Sequence, residues 1–314
     1  MKYDKRILEN QTSDFLTLLL IERNLSPKTI KAYQYDLHCF TTWCEKQQLE
    51  LLNSSTVLSY FEYLYSTAGL KSCTIQRKYI TLHQFFNYLN SEGYTQERFL
   101  RFSTRKFQTS HSIPKTLSSH EIKKLISCIN QQYESSASSF RRTLCIRDNA
   151  MIELLFCVGL RIGELSALNL EHFDQAEKTL LIKGKGNKER LLYISSDEVL
   201  EKLYQWIQSR PFLNPTSAAL FINRYGERLS IYGIEKVFKK YRDLSLINQN
   251  STPHYLRHSF ATQLLNNGAS IRDVQELLGH ASIVTTQIYT EVSINRKKLV
   301  LTQYNGRNFL FQNS

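Results

Sequence analysis

No run of apolar residues in this 314-residue sequence approaches the ~20 that a membrane-spanning helix requires, so a helical membrane protein is not the reading. Residues 1–20 interleave acids with apolar side chains and carry no small-residue cleavage site; no secretory leader is expected, and the expected compartment is the cytoplasm. Six cysteines, Cys39, Cys44, Cys73, Cys128, Cys145 and Cys157, lie scattered with neither CxxC nor Cys/His spacing. They read as reduced core thiols, and no structural zinc is implied. The phosphate-cradling pattern GxxxxGK followed by Ser or Thr is missing, which removes a P-loop nucleotide site. Nothing resembles a carboxylate cluster for a divalent ion, and neither an internal repeat nor a low-complexity block is present. No cofactor is expected.

What is present is positive charge. A formal net charge of +12, with both halves of the chain basic, favours a polyanionic partner, although bulk charge does not separate DNA from RNA or an acidic membrane surface. Hydrophobic content of 42% beside 22% charged residues is ordinary for a soluble globular protein, and the length suits two domains.

Residues 11–107 read as all-helical. A helix is expected over residues 12–23. Leu25-Ser26-Pro27 then supplies an N-cap and a proline at the first helical position, with Ile30, Tyr33, Leu37 and Phe40 marking the core face. Two more helices are expected over residues 55–65 and 72–89. Lys28, Lys31, Lys71, Arg77 and Lys78 lie at or near helix starts, where backbone N–H groups also favour phosphate; a solvated basic surface is the plainer alternative. The polar stretch 103–114 suits an exposed connector, and Ser118 with Glu121 forms a capping box that opens the next helix.

Residues 147–170 contain an apolar helix, a stop at Gly159 and a new helix near Arg161. There Arg161 either pairs with Glu164 or joins backbone donors in holding a phosphate. KTLLIKGKGNKERLLYI alternates as two strands about a turn at residues 184–188. Glycines flanking Lys185 would let that hairpin approach a DNA backbone closely, and a mobile surface hairpin fits the same pattern. AALFINRYG suggests a third strand. Pro253 opens a helix that stops at Asn266-Asn267-Gly268, Ser270 with Asp273 caps another that stops at Gly279, and Thr285 or Thr286 opens a third bearing Tyr289. His254 and Arg257, three apart, share one helix face. Singly, such residues read as a surface pair and a core ring.

Their order carries more than any one of them. PHYLRHSFATQLLNNG and LGHASIVTTQIYT, with GLRIGEL upstream, resemble the boxes of the tyrosine recombinase family, the Xer-type and phage-type integrases. SPKTIKAYQYDLHCF and SCTIQRKYITLHQFFNYL resemble that family's core-binding domain. The resemblance implies a mainly α fold with a small antiparallel β-sheet in the C-terminal domain, two domains forming a C-shaped DNA clamp. It implies a helical, SAM-like core-binding domain over residues 1–107, a linker over 108–117, a catalytic domain over 118–293, and a tail over 294–314 that docks on a neighbouring protomer, with packing of the tail on its own domain as the alternative.

The function so implied is that of a site-specific DNA recombinase working through a 3′-phosphotyrosine. Tyr289 would be the nucleophile, with Arg161, Arg257, His254 and His280 around the phosphate. Lys185 would be the general acid, with Lys183 and Lys188 as fallbacks, and Glu164 would orient Arg161. The implied partners are double-stranded DNA with paired inverted recombinase sites and further protomers in a homotetramer, a paralogous recombinase being a second option; no membrane is involved, and the location is nucleoid-associated. Integration or excision of a mobile element and resolution of replicon dimers both fit. The tail's apolar stripe, Leu299, Leu301, Phe309, Leu310 and Phe311, departs from the short endings of chromosomal Xer proteins and leans towards a mobile element. A type IB topoisomerase would use the same nucleophile chemistry, but the SPKTIKAY box and the tail speak against it. A DNA-binding relic is disfavoured because all six expected positions hold chemically competent residues.

Overall fold

A computed structural model describes residues 2–23, 25, 27–97, 99–100, 115–184, 189–279 and 294–310. The chain divides into two units, Met1–Ser112 and Ile113–Ser314. In the first, α1 (Lys5–Arg23), α2 (Pro27–Lys46), α3 (Ser54–Ser66) and α4 (Ser72–Ser91) surround an aromatic core. α1 starts earlier than apolar periodicity suggests because the Asp4 carboxylate accepts from the Ile7 N–H at 3.1 Å, satisfying a donor of the first turn. Pro27 opens α2 as expected, while Ser26 lies outside the described residues. Leu37 and Phe40 are buried, and Ile30 and Tyr33 pack partly buried against the same core. Phe40 meets Tyr60 edge-on at 5.0 Å and Phe86 at 5.9 Å, so α2, α3 and α4 interlock through ring edges.

The six cysteines are free thiols, and Cys44, Cys145 and Cys157 are buried. Cys73 departs from the expected core position. It sits in the first turn of α4, ahead of the inward face that Ile75, Tyr79 and Leu82 define, and is exposed.

The second unit runs α5 (Ser119–Glu134), α6 (Ser139–Val158) and α7 (Ile162–Ala167), then β1 (Phe173–Asp174), β2 (Thr179–Lys183) and β3 (Glu189–Tyr193). After these come α8 (Asp197–Ser209), α9 (Ile231–Leu244), α10 (Pro253–Asn266), α11 (Ile271–Leu278), α12 (Ile294–Tyr304) and α13 (Gly306–Phe309). Ser118 and Glu121 form the expected capping box: the Ser118 hydroxyl accepts from the Glu121 N–H at 3.2 Å, and the Glu121 carboxylate accepts from the Ser118 N–H at 2.9 Å. Every residue from Ala150 to Val158 is buried, so the end of α6 must be covered on all sides; α5, α8 and α10 pack against this helix.

The strands form one antiparallel sheet in the order β1-β2-β3, with Lys183 opposite Glu189, Ile182 opposite Arg190 and Leu180 opposite Leu192. The expected third strand at AALFINRYG is not part of it. Those residues make only isolated bridges, Ala219 to Asn169 and Ile222 to Arg228, while β1 takes the free edge of β2 through a short local turn. The Asp174 carboxylate accepting from the Glu177 N–H at 2.9 Å closes that turn, so the nearer segment reaches the edge first.

Residues 294–310 pack on their own unit. Val300, Leu301 and Leu310 are buried there, and Arg307 donates to the fully buried Glu153 of α6. The Asn305 side chain donates to the Cys157 carbonyl at 2.6 Å. A buried carboxylate needs a buried cation, and Arg307 supplies one from within the same chain. Leu299 and Phe309 of the apolar stripe are exposed, and Phe311 lies outside the described residues.

Candidate active site

Gly159 ends α6 in the left-handed region, φ +65°, where a Cβ would stand 2.3 Å from Phe260 Cδ1. Two residues on, Arg161 occupies the N-cap position of α7 with extended backbone. Glu164, in the first turn of α7, folds back so that its carboxylate accepts from the Arg161 N–H at 2.9 Å and from the Arg161 guanidinium at 2.7 Å. An acid at that place also complements the positive end of the helix.

The same carboxylate serves a second arginine. Arg190 of β3 donates through Nη1 to Glu164 Oε1 at 3.0 Å and through Nη2 to Oε2 at 2.8 Å, a bidentate pair. Arg257 of α10 lies 3.8 Å from Glu164 Oε2. Burial alone would raise the Glu164 carboxyl, but the Arg190 hydrogen bonds, the Arg161 N–H and the surrounding positive charge together hold it below the usual carboxylate value. Three guanidiniums sharing one carboxylate leave positive charge over, which suits an anion.

Arg257 is the most enclosed cation of the group, its side chain 6% exposed against 38% for Arg161. It donates through Nη1 to the Gly159 carbonyl at 2.6 Å and through Nη2 to the Leu278 carbonyl at 2.7 Å. Both acceptors sit at helix C-termini, where unpaired carbonyls and the helix dipole favour a cation. Burial, followed by the positive charge of Arg161, lowers the Arg257 guanidinium to about 10, with Glu164 acting in the opposite direction. It therefore stays charged at neutral pH. Arg161 reaches the same end of α11, donating to the Leu278 carbonyl at 3.3 Å and the Gly279 carbonyl at 3.5 Å.

His254 is exposed on the first turn of α10, three residues before Arg257. His258, one turn further on, is pushed down by burial, by His254 and by the Arg257 charge. Lys183 is exposed and stands 4.0 Å from Glu189. Lys185 and Lys188, on the loop between β2 and β3, and His280 and Tyr289, beyond Gly279, lie outside the described residues.

Residues 115–296 match the family model described as "Phage integrase family", and residues 13–93 match that of the "Phage integrase, N-terminal SAM-like domain". The first match alone spans more than half of the chain. The protein belongs to the phage integrase family. Among relatives of this integrase-family chain, the tyrosine recombinase XerD of Listeria monocytogenes serovar 1/2a is 36% identical over 304 residues, covering 94% of this chain and 98% of its own. The tyrosine recombinase XerC of Alcanivorax borkumensis is 38% identical over 280 residues, 88% of each chain. In fold, the chain is similar to the XerH site-specific recombinase bound to palindromic difH substrate, with a TM-score of 0.68 at 22% identity over 95% of this chain and 82% of that one. The integrase-family protein is thus a tyrosine recombinase, an enzyme of site-specific DNA cleavage and rejoining. Neither the topoisomerase nor the relic reading is favoured.

In the SAM-like region of the integrase, Lys28, Lys31 and Lys71 are exposed, as a phosphate contact requires. Lys78 departs from the expectation: it is 4% exposed and donates to the buried Asp36 carboxylate at 3.0 Å. The reason is its register on α4, where Ile75, Lys78, Tyr79 and Leu82 all face inward. Arg77, half-buried, is bonded to the same Asp36. Arg190 is the residue that sequence reasoning missed. Its signal was period-two alternation: on β3 it shares a face with the buried Leu192, and a cation facing inward from a strand requires an acid.

Proposed function

We propose that this recombinase joins Tyr289 to the 3′-phosphate of a DNA strand, releases the 5′-hydroxyl, and reverses the step on a partner strand. The observation that carries the reading is the convergence of Arg161 and Arg257 on the end of α11, immediately before the segment that holds His280 and Tyr289.

A tyrosine hydroxyl with an ordinary pKa of about 10 is phenolate in only about one part in a thousand at pH 7, a cost of roughly 4 kcal/mol. His254 and the two arginines would offset it. The phosphodiester gains negative charge as the phosphorus becomes pentavalent, so cations that bind the extra charge accelerate the step selectively. Arg161 and Arg257 would bind the non-bridging oxygens, with His280 as a further donor and Glu164 fixing the Arg161 fork. Lys185 would protonate the departing 5′-oxygen, an alkoxide that leaves poorly without a proton. The phosphotyrosine keeps the energy of the broken bond, so rejoining requires no ATP.

Strand exchange requires two duplexes. We take the active species to be a tetramer on paired inverted sites, of one kind of chain or two, acting on DNA in the cytoplasm. Among the described residues no helix is long and apolar enough to cross a membrane. A nicked suicide substrate tests the assignment. Tyr289→Phe should bind the DNA and form no covalent adduct; an adduct that persists would transfer the nucleophile to another residue.

A further inference from the structure

We propose that Arg190 is a positioning residue for cleavage, holding the β2–β3 hairpin in register with the arginine pair so that the lysine of its loop reaches the leaving oxygen. This rests on the reading of Lys185 as general acid given above.

Arg190 ties three elements with one side chain. From β3 its fork grips both oxygens of Glu164 on α7, and its Nε donates to the Leu277 carbonyl at the end of α11 at 3.1 Å. Its side chain is only 11% exposed. The end of α11 is shaped around it: at Gly279, φ +61°, a Cβ would lie 2.9 Å from Arg190 Nη1, so glycine serves both the backbone turn and the passage of the guanidinium. The pair Lys183 and Glu189 is the last register pair before the loop, and Arg190 is its immediate neighbour. The base of the loop carrying Lys185 is therefore fastened to the carboxylate that also holds Arg161 and to the helix end that also holds Arg257. An error of about 1 Å in the placement of a general acid is enough to cost on the order of 100-fold in rate.

The chemistry gives a test that a merely structural role would not satisfy. During cleavage the tyrosine oxygen bonds to phosphorus as the bond from phosphorus to the 5′-oxygen breaks, and that oxygen takes a proton from the lysine. If the 5′-bridging atom is sulfur, the phosphorus–sulfur bond breaks instead and a thiolate leaves, its thiol pKa of about 8.5 making the proton unnecessary. A protein whose acid is absent or misplaced should then recover, whereas one that fails to bind phosphate should not.

Single-turnover cleavage by the full chain would be measured on matched all-oxygen and 5′-sulfur duplexes for the unsubstituted protein, Arg190→Gln, Lys185→Ala and Arg257→Ala. Arg190→Gln should slow cleavage of all-oxygen DNA by at least about 100-fold, the lower end of what a positioned acid contributes, with unchanged DNA affinity. On the sulfur duplex it should return to within about tenfold of the unsubstituted protein, as Lys185→Ala does, while Arg257→Ala stays slow on both. Rescue of Lys185→Ala without rescue of Arg190→Gln would overturn the role of Arg190 and leave the lysine in place. Failure of both to recover would remove the lysine assignment itself, and the positioning role with it. If Arg190→Gln melts too low to assay, Arg190→Lys serves the same comparison, because an ammonium keeps the charge but not the two-pronged grip on Glu164.

Discussion

Arg161 and Arg257 donate to one and the same oxygen, the carbonyl of Leu278, at 3.3 and 2.7 Å. Two guanidiniums from α7 and α10 would repel each other in isolation. The carbonyls at the end of α11, together with Glu164, offset that repulsion and set the spacing of the pair.

Arg257→Ala removes a donor from each of two helix-end carbonyls, and with it one of the two proposed phosphate cations. Cleavage should fall by about 2.7–4 kcal/mol, or 10²–10³-fold, while binding changes far less. Adduct yield on a suicide substrate set beside gel-shift affinity checks this. Proportional loss of both would mean that Arg257 only anchors DNA.

Glu164→Gln should destabilise the second unit at neutral pH by roughly 3–5 kcal/mol, since buried arginines lose their counter-charge. Because the folded-state pKa of Glu164 lies below its ordinary 4.5, its contribution is complete above that value and is lost as pH falls through the depressed one. The stability gap between the two proteins should therefore be flat from neutral pH down to about 4.5 and close below it. Urea unfolding at a series of pH values measures it, and a gap independent of pH down to acid unfolding would contradict the assignment.

Lys31 and Lys78 should separate by function. Lys31→Ala, at an exposed position, should leave the melting temperature alone and lower the salt dependence of DNA binding by about one unit of slope. Lys78→Ala leaves the buried Asp36 short of a partner and should cost roughly 3 kcal/mol in stability with no change in that slope. The opposite pattern would put Lys78 on phosphate.

Gly159→Ala should be felt twice. The left-handed backbone costs an alanine about 1–2 kcal/mol, and its Cβ would collide with Phe260, one turn beyond Arg257 on α10. A drop in melting temperature of about 2–4 °C per kcal/mol is expected, with loss of cleavage as the carbonyl that holds Arg257 shifts. An unchanged melting curve would contradict the packing described.

Truncation after Ser293 should unfold or strongly destabilise the second unit, because it takes Arg307 from the buried Glu153, which among the described residues keeps Lys202, and strips Val300 and Leu301 from the core. A loss of roughly 3–5 kcal/mol from the ion pair alone is expected by thermal or chemical melting. Undiminished stability would mean that residues 294–310 are dispensable to their own unit.

Much of this protein is legible from neighbours along the chain. Ser118 with Glu121, Ser270 with Asp273, and the stops at Gly159 and Gly279 are local arrangements, satisfied within a few residues, and each stands where the sequence puts it. The apolar spacing of Leu37 and Phe40 likewise selects the buried face of α2 without reference to its neighbours. Arg161 and Arg257 were legible as a pair through the ordered boxes around them, and so was the family.

Partners distant in sequence were not. Lys78 looks like a surface cation until α2 brings Asp36 beneath it, Arg190 looks like a strand residue until Glu164 and the end of α11 close around it, and the tail looks unpartnered until Glu153 receives Arg307. A cap or a glycine stop is decided by backbone groups a few bonds away, whereas a buried charge is decided by whichever segment folding carries within about 3 Å of it. Only the packed chain states which segment that is.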